Sequence, residues 1–185
     1  MTPSLAPAPR IDERLPFHPV RIAVLTVSDT RGPEDDKSGD TLVERLTEAG
    51  HILAARALVR DDVELIHGQA RNWIADPLID VVISTGGTGL TGRDVTVEAF
   101  RALYEKEIDG FAAIFHLISY MTVGTSTVQS RACAGVANGT YLFCLPGSTG
   151  ACRDGWDDIL VHQLDIRHRP CNFAELLPRL REHES

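Results

Sequence analysis

The stretch from Asp80 to Thr96 constrains this chain more than any other. It runs Asp80-Val81-Val82-Ile83-Ser84-Thr85-Gly86-Gly87-Thr88-Gly89-Leu90-Thr91-Gly92-Arg93-Asp94-Val95-Thr96. Val81 to Ile83 is short, apolar and β-branched, the pattern of a buried strand. Four glycines follow with threonines between them, and from Val95 the pattern turns helical, with Thr96 as the expected cap. Strand, glycine-rich loop and helix in that order make an anion-binding corner in α/β proteins. Glycine lacks a Cβ, so a ligand can approach the backbone, and positive φ is open to it. The first N–H groups of the following helix lack intrahelical partners and point at whatever binds there. The spacing G-G-x-G-x-x-G is not a dinucleotide fingerprint, and no Gly-Lys-Ser/Thr follows to make a P-loop. A tight turn with no ligand is the plainer alternative.

A chain of 185 residues is long enough for one domain with a sizeable core. Its net charge of −8 disfavours nucleic acid as a partner. The same charge means that a bound phosphate needs local help from backbone N–H groups, an arginine or a divalent cation. Sequence reading finds no uninterrupted apolar run of the about 18 residues a membrane span needs and no secretory signal, which points to the cytoplasm. Cys133, Cys144, Cys152 and Cys171 contain no C-x-x-C pair, and the seven histidines are scattered, so structural zinc is not expected.

Residues 1–19 hold five of the ten prolines and read as a flexible arm, with 20–185 as a single domain. Arg21 to Val27 is near-continuously apolar, as a strand buried on both faces of a parallel sheet must be. It ends in the polar loop Ser28-Asp29-Thr30-Arg31-Gly32, and Glu34-Asp35-Asp36-Lys37 reads as a charged, mobile insert. Ser38-Gly39-Asp40 opens a helix, with Ser38 either as its cap alone or also as a ligand contact. A second strand over Ile52 to Val59 leads to Asp61-Asp62 and a helix through Ile74, closed by Pro77. Asp109 opens a helix carrying Phe111, Ile114, Phe115 and Ile118, whose aromatics suit core or subunit contact. Thr125 to Val136 is rich in small and hydroxyl residues. Tyr141 to Leu145 is another buried strand, running into Pro146-Gly147-Ser148-Thr149-Gly150. Alternating strands and helices of these lengths predict a three-layer α/β/α domain with a largely parallel sheet. Its strand-end loops would gather Ser28, Asp61, Thr85 and Pro146 on one edge, where open α/β folds bind ligands.

Carboxylates repel phosphate. Asp61 and Asp94 beside a glycine-rich anion loop make sense if a hard cation lies between them. Mg²⁺ commonly takes one or two carboxylates together with substrate phosphate oxygens. The residues therefore predict a Mg²⁺-dependent enzyme acting on a phosphorylated substrate or nucleotide.

Six motifs occur in order: Thr26-Val27-Ser28-Asp29-Thr30-Arg31, Ser38-Gly39, Ser84-Thr85-Gly86-Gly87-Thr88-Gly89, Arg93-Asp94-Val95-Thr96, Ser130-Arg131-Ala132 and Leu145-Pro146-Gly147-Ser148. Together they resemble the MoaB/MogA family of molybdenum-cofactor biosynthesis, its MoaB branch in particular, over about residues 20 to 175. The resemblance implies a molybdopterin-binding α/β fold, a homotrimer or a dimer of trimers, and other molybdenum-cofactor enzymes as partners. It implies Mg-ATP-dependent adenylylation of molybdopterin, with ATP and molybdopterin as substrates. Asp61 and Asp94 match the positions expected to serve catalysis, Mg²⁺ and the triphosphate. Thr85, Gly86, Gly87, Thr88 and Gly89 match the pterin- and phosphate-binding loop. Ser130 and Arg131 match the Ser-Arg motif, Pro146, Gly147 and Ser148 the second pocket loop, and Ser28 and Asp29 the first; Ser38 and Gly39 are expected to bind substrate as well. Two further readings stand beside this one: a catalytically silent molybdopterin-binding or scaffold protein of the same pathway, and an unrelated nucleotide-binding protein.

Overall fold

The computed structural model describes residues 10–184, so the reading of residues 1–9 lies outside the described residues. In chain order the elements are β1 (Arg10–Ile11), β2 (Arg21–Val27), α1 (Lys37–Glu48), β3 (Ile52–Val59), α2 (Val63–Ala75), β4 (Val81–Thr85), α3 (Thr96–Arg101), β5 (Lys106–Glu107), α4 (Asp109–Val123), β6 (Cys133–Ala137), β7 (Thr140–Leu145), α5 (Thr149–Gly155), α6 (Val161–Gln163), β8 (His168–Arg169) and α7 (Phe173–Leu176). A π-helical turn, Trp156–Leu160, joins α5 to α6.

The main sheet has six strands in the order β3-β2-β4-β7-β6-β5. β3, β2, β4 and β7 are parallel, whereas β6 and β5 are antiparallel to their neighbours. The sheet is thus mixed, parallel on one side of β7 and antiparallel on the other. β2 explains the continuous apolar run. Ile22 and Val24 face a core with Leu42 and Leu46 of α1, while Ala23, Leu25 and Val27 face a second core with Ile66 and Ala70 of α2. Both faces are buried, so both are apolar except at Thr26, whose hydroxyl is satisfied by Asp36. β6 was not expected as a strand, because its residues are small. Gly135 is small for a reason: a Cβ there would lie 2.3 Å from Cγ of Tyr104. Asn138 and Gly139, both at positive φ, turn β6 into β7 as a two-residue hairpin of the Asn-Gly kind.

Two further expectations change, and of the two roles open to the α4 aromatics the core is the one found. Arg10 to Pro19 lies against the domain: β1 pairs with β8, and the Asp12 N–H donates to the Arg167 carbonyl (2.8 Å). Phe111 and Phe115 are buried against the sheet and offer no face for association; Ile114, Leu117 and Met121 point outward instead. The 21 residues Asp109–Gln129 are long and apolar enough to cross a membrane, which the sequence reading passed over. Here that segment is a helix packed through Phe111 and Phe115 into the core.

The topology fixes the site. From the carboxyl end of β2 the chain turns to α1 on one face, and from that of β4 it turns to α3 on the other. Neighbouring strands whose connections leave to opposite faces open a crevice between them, the position at which open α/β sheets bind ligands.

Candidate active site

Three loops meet over that crevice, and their backbones pack too closely to admit side chains. Gly86 has φ +97°, and a Cβ on it would stand 2.2 Å from the Val27 carbonyl oxygen. Gly87 has φ +64°, and a Cβ there would stand 2.2 Å from Thr96 Oγ1 and 2.5 Å from Asp61 Oδ1. The Gly86 N–H donates to the Leu145 carbonyl (3.1 Å) and the Thr96 N–H to the Gly87 carbonyl (2.9 Å). The loop after β4 is thereby tied to β7 on one side and α3 on the other.

A cavity of about 460 Å³ opens above it. Its lining includes Ser28, Asp29, Asp61, Gly86, Gly87, Thr88, Gly89, Asp94, Ser130, Pro146, Gly147 and Ser148 from the sequence-predicted set, together with Thr30 and Arg31. Four members of that set stand behind the lining. Thr85 is fully buried beneath it, and its Oγ1 donates to the Pro146 carbonyl (3.0 Å). The Ser38 hydroxyl accepts from Arg31 Nη1 (2.9 Å). The Gly39 N–H donates to Asp36 Oδ1 (3.0 Å). Arg131 sits behind the glycine loop, where Nε donates to the carbonyls of Thr88 and Gly89, both at 3.1 Å.

Asp36 is the cap of α1, not Ser38. It is no mobile insert: it is 1% exposed, its Oδ2 accepts from Thr26 Oγ1 (2.7 Å) and it pairs with Arg56 (2.7 Å). Burial works to raise its pKa, but Arg56, Thr26 and the Gly39 amide outweigh that and hold the carboxyl below its ordinary value. Thr96 likewise is no cap. It is the first residue of α3, and its buried hydroxyl has no hydrogen-bond partner among the described residues.

Arg31, like its neighbour Thr30, lines the cavity although sequence reasoning left it out of the site. Its Nη2 donates to the Gly147 carbonyl (2.8 Å) and its Nη1 to Ser38, so it ties the loop after β2 to the loop after β7 and to α1. Its place in the loop following a buried parallel strand was the available signal.

The acidic groups differ sharply. Asp29 is held in a bidentate pair by Arg93 (2.8 and 2.9 Å), which lowers its pKa. Asp94 Oδ2 accepts from the Thr91 amide (2.9 Å) and hydroxyl (2.6 Å). Burial pushes the Asp94 carboxyl up, and these bonds overcome it, so the net shift is downward. Asp61 makes no ion pair among the described residues. Burial raises its pKa, and the neighbouring charges of Asp29 and Asp94 raise it further. Asp61 thus lines the cavity with two other carboxylates, close to a Thr96 hydroxyl that has no partner among the described residues, and the charge of Arg93 offsets part of the repulsion. Among the described residues no group of three or more acidic, histidine or cysteine side chains is arranged to hold a metal ion, so a hard divalent ion would depend on substrate oxygens as well as on these carboxylates.

Known proteins resemble this chain in sequence and in fold. Residues 23–166 match the family described as probable molybdopterin binding domain. Molybdenum cofactor biosynthesis protein B of Escherichia coli K12 is 50% identical over 157 residues, covering 85% of this chain and 92% of that one. The protein of the same name from Bacillus subtilis 168 is 41% identical over 146 residues, covering 78% and 86%. A crystal structure of molybdenum cofactor biosynthesis protein B superposes with a TM-score of 0.81 at 38% identity, covering 89% of this chain and 98% of that one. The tungsten cofactor synthesizing protein MoaB of Pyrococcus furiosus gives 0.70 at 32% identity, covering 89% and 96%. The α/β fold, the site loops and these likenesses agree: the chain belongs to the molybdopterin-binding-domain family, in its molybdenum cofactor biosynthesis protein B (MoaB) branch.

Proposed function

We propose that this chain acts in molybdenum cofactor biosynthesis as a Mg-ATP-dependent molybdopterin adenylyltransferase, in the cytoplasm. In that reaction the terminal phosphate oxygen of the pterin bonds to the α-phosphorus of ATP, the bond from that phosphorus to the β-phosphate bridge breaks, and pyrophosphate leaves. The observation that carries the reading is Asp61, a buried carboxylate that makes no ion pair among the described residues and lines a glycine-floored cavity together with Asp94. Asp61 and Asp94 would hold Mg²⁺, which when bound supplies positive charge against that developing on the triphosphate. The chain's own groups orient the substrates. Gly86 and Gly87, at positive φ and packed where a Cβ would strike Val27, Thr96 and Asp61, let the backbone itself floor the cavity. Arg31, anchored on Ser38 and Gly147, presents a fixed guanidinium at the cavity wall. Thr91 keeps Asp94 ionised, so it stays a ligand and does not become a proton source.

The test is pyrophosphate release by the purified protein with Mg-ATP, run with and without molybdopterin. Pterin-dependent release that disappears in Asp94→Ala, with pterin binding kept, supports adenylyl transfer. The silent-binder reading has one observation in its favour: Arg93 and Arg131 are both engaged by carboxylates and not turned to the cavity. Pterin binding without any pyrophosphate release would sink the transferase reading and establish the silent one.

The reading extends to self-association as a trimer or a dimer of trimers. Ile114, Leu117 and Met121 recur at helical spacing on α4 and are each about half exposed, and Val128 beyond them is 76% exposed. Light scattering on Leu117→Glu is expected to show a smaller particle than wild type; an unchanged mass would remove α4 from the interface.

A further inference from the structure

Arg131 is spent on the protein itself. Of its five N–H groups, Nε is shared between the Thr88 and Gly89 carbonyls, and Nη2 donates to the Asp94 carbonyl (3.3 Å) and to Glu98 Oε2 (3.2 Å). Nη1 donates to Glu98 Oε1, leaving a single N–H on Nη1 for anything else. A guanidinium so committed cannot grip a phosphate through two N–H groups without letting go of the loop. What it does hold is the backbone on both sides of the Leu90–Arg93 turn: Thr88 and Gly89 before it and Asp94 after it.

Glu98 is what fixes Arg131 in that place. It stands in the first turn of α3, outside the cavity lining, and takes both terminal nitrogens of the guanidinium. A bidentate carboxylate sets the plane of an arginine as well as its position. The path from Glu98 to the cavity is short. Glu98 orients Arg131, Arg131 clamps the Asp94 carbonyl, and the Asp94 carboxylate faces Asp61 over the glycine loop. Thr91 then trims the Asp94 side chain from within the same turn.

We propose that Glu98 is a positioning residue that acts through Arg131 to set the glycine loop and Asp94 for the reaction, and that Arg131 is a strut and not a substrate ligand. The proposal rests on the adenylyltransferase reading for its kinetic consequence but not for its structural one. Hydrogen exchange of the amides from Gly86 to Thr96 is measured in wild type, Glu98→Gln and, as control, Glu107→Gln, whose partner Arg101 lies away from the cavity lining. Exchange in that segment is expected to rise about tenfold or more in Glu98→Gln and to stay at wild-type rates in the control, with the unfolding midpoint close to wild type in both. In the pyrophosphate assay Glu98→Gln is expected to lower kcat about tenfold with KM for molybdopterin within about twofold, since the Asp94 side of the pocket moves and the Ser28 and Pro146 loops do not. Unchanged exchange across Gly86 to Thr96 overturns the proposal. Absence of pyrophosphate release from wild type overturns the transferase reading, and the exchange data then decide on the strut by themselves.

Discussion

Asp36 and Asp61 are both acidic, both follow a strand of the parallel half of the sheet and both are buried, at 1% and 9% exposure. Around Asp36 everything is paired: Thr26, the Gly39 amide and Arg56 leave its carboxylate satisfied, and Arg56 also reaches Asp40 at 2.7 Å. Around Asp61 the neighbours are Asp29, Asp94 and a hydroxyl with no partner among the described residues, and Arg93 acts on it only at a distance, being paired with Asp29. The same residue type thus holds a helix in place at one corner and stands without an ion pair among the described residues at the other. Burial does not tell them apart; the sign of the surrounding charge does.

An isosteric substitution at each corner tests this contrast. The largest effect is expected from Asp61→Asn, with turnover falling about a thousandfold, or about 4 kcal/mol of transition-state stabilisation, if that carboxylate holds the metal. Its unfolding free energy should equal or exceed wild type, because a repelled buried charge is gone; a clear loss of stability would erase the distinction from Asp36. Asp36→Asn should do the reverse. Breaking a buried ion pair costs about 3 kcal/mol in chemical denaturation, and activity should follow the folded fraction.

Acid titration sharpens the same contrast. The Asp36 pKa is lowered by folding, so its stabilisation is present above the ordinary carboxylate value near about 4 and is lost as the pH falls through the lower folded value. The Asp61 pKa is raised, so its contribution is most favourable below about 4 and is lost as the pH rises through the higher folded value. The stability gap between wild type and Asp36→Asn should therefore close towards low pH, while Asp61→Asn gains on wild type as the pH rises past 4. Parallel curves would contradict the assignment. The smallest effect belongs to Arg93→Ala: its pair with Asp29 is largely exposed, and thermal unfolding should register less than about 1 kcal/mol.

How far the sequence could be read follows the range of the interactions. β2 and β4 were legible because strands buried on both faces need apolar residues along their whole length, and the glycine loop because its conformations exclude other residues. The parallel sheet, the cleft and most of its lining followed from those. Asp36 was misread because in sequence it stands among Glu34, Asp35 and Lys37, whereas Thr26 and Arg56, which define it, lie ten and twenty residues away. Arg131 was assigned to the ligand from its motif; Glu98, thirty-three residues distant, is what turns it to the loop. Gly135 of β6 is small for the sake of Tyr104, a demand invisible in the strand's own composition, although the Asn138-Gly139 turn beside it was a usable hairpin signal.

The strand order has a consequence for the newly made chain. β4 lies between β2 and β7, and the Gly86 amide has its acceptor at Leu145. The third wall of the cavity, Pro146 to Ser148, follows β7. Until translation has passed residue 148 the crevice has no floor contact on that side, and the β4 edge from Val81 to Thr85 stays open to pairing. At about 5–20 residues per second, an emerging chain spends several seconds with β4 made and β7 still to come. Those seconds are when a chaperone has something to protect, and when a ligand still has no complete site to bind.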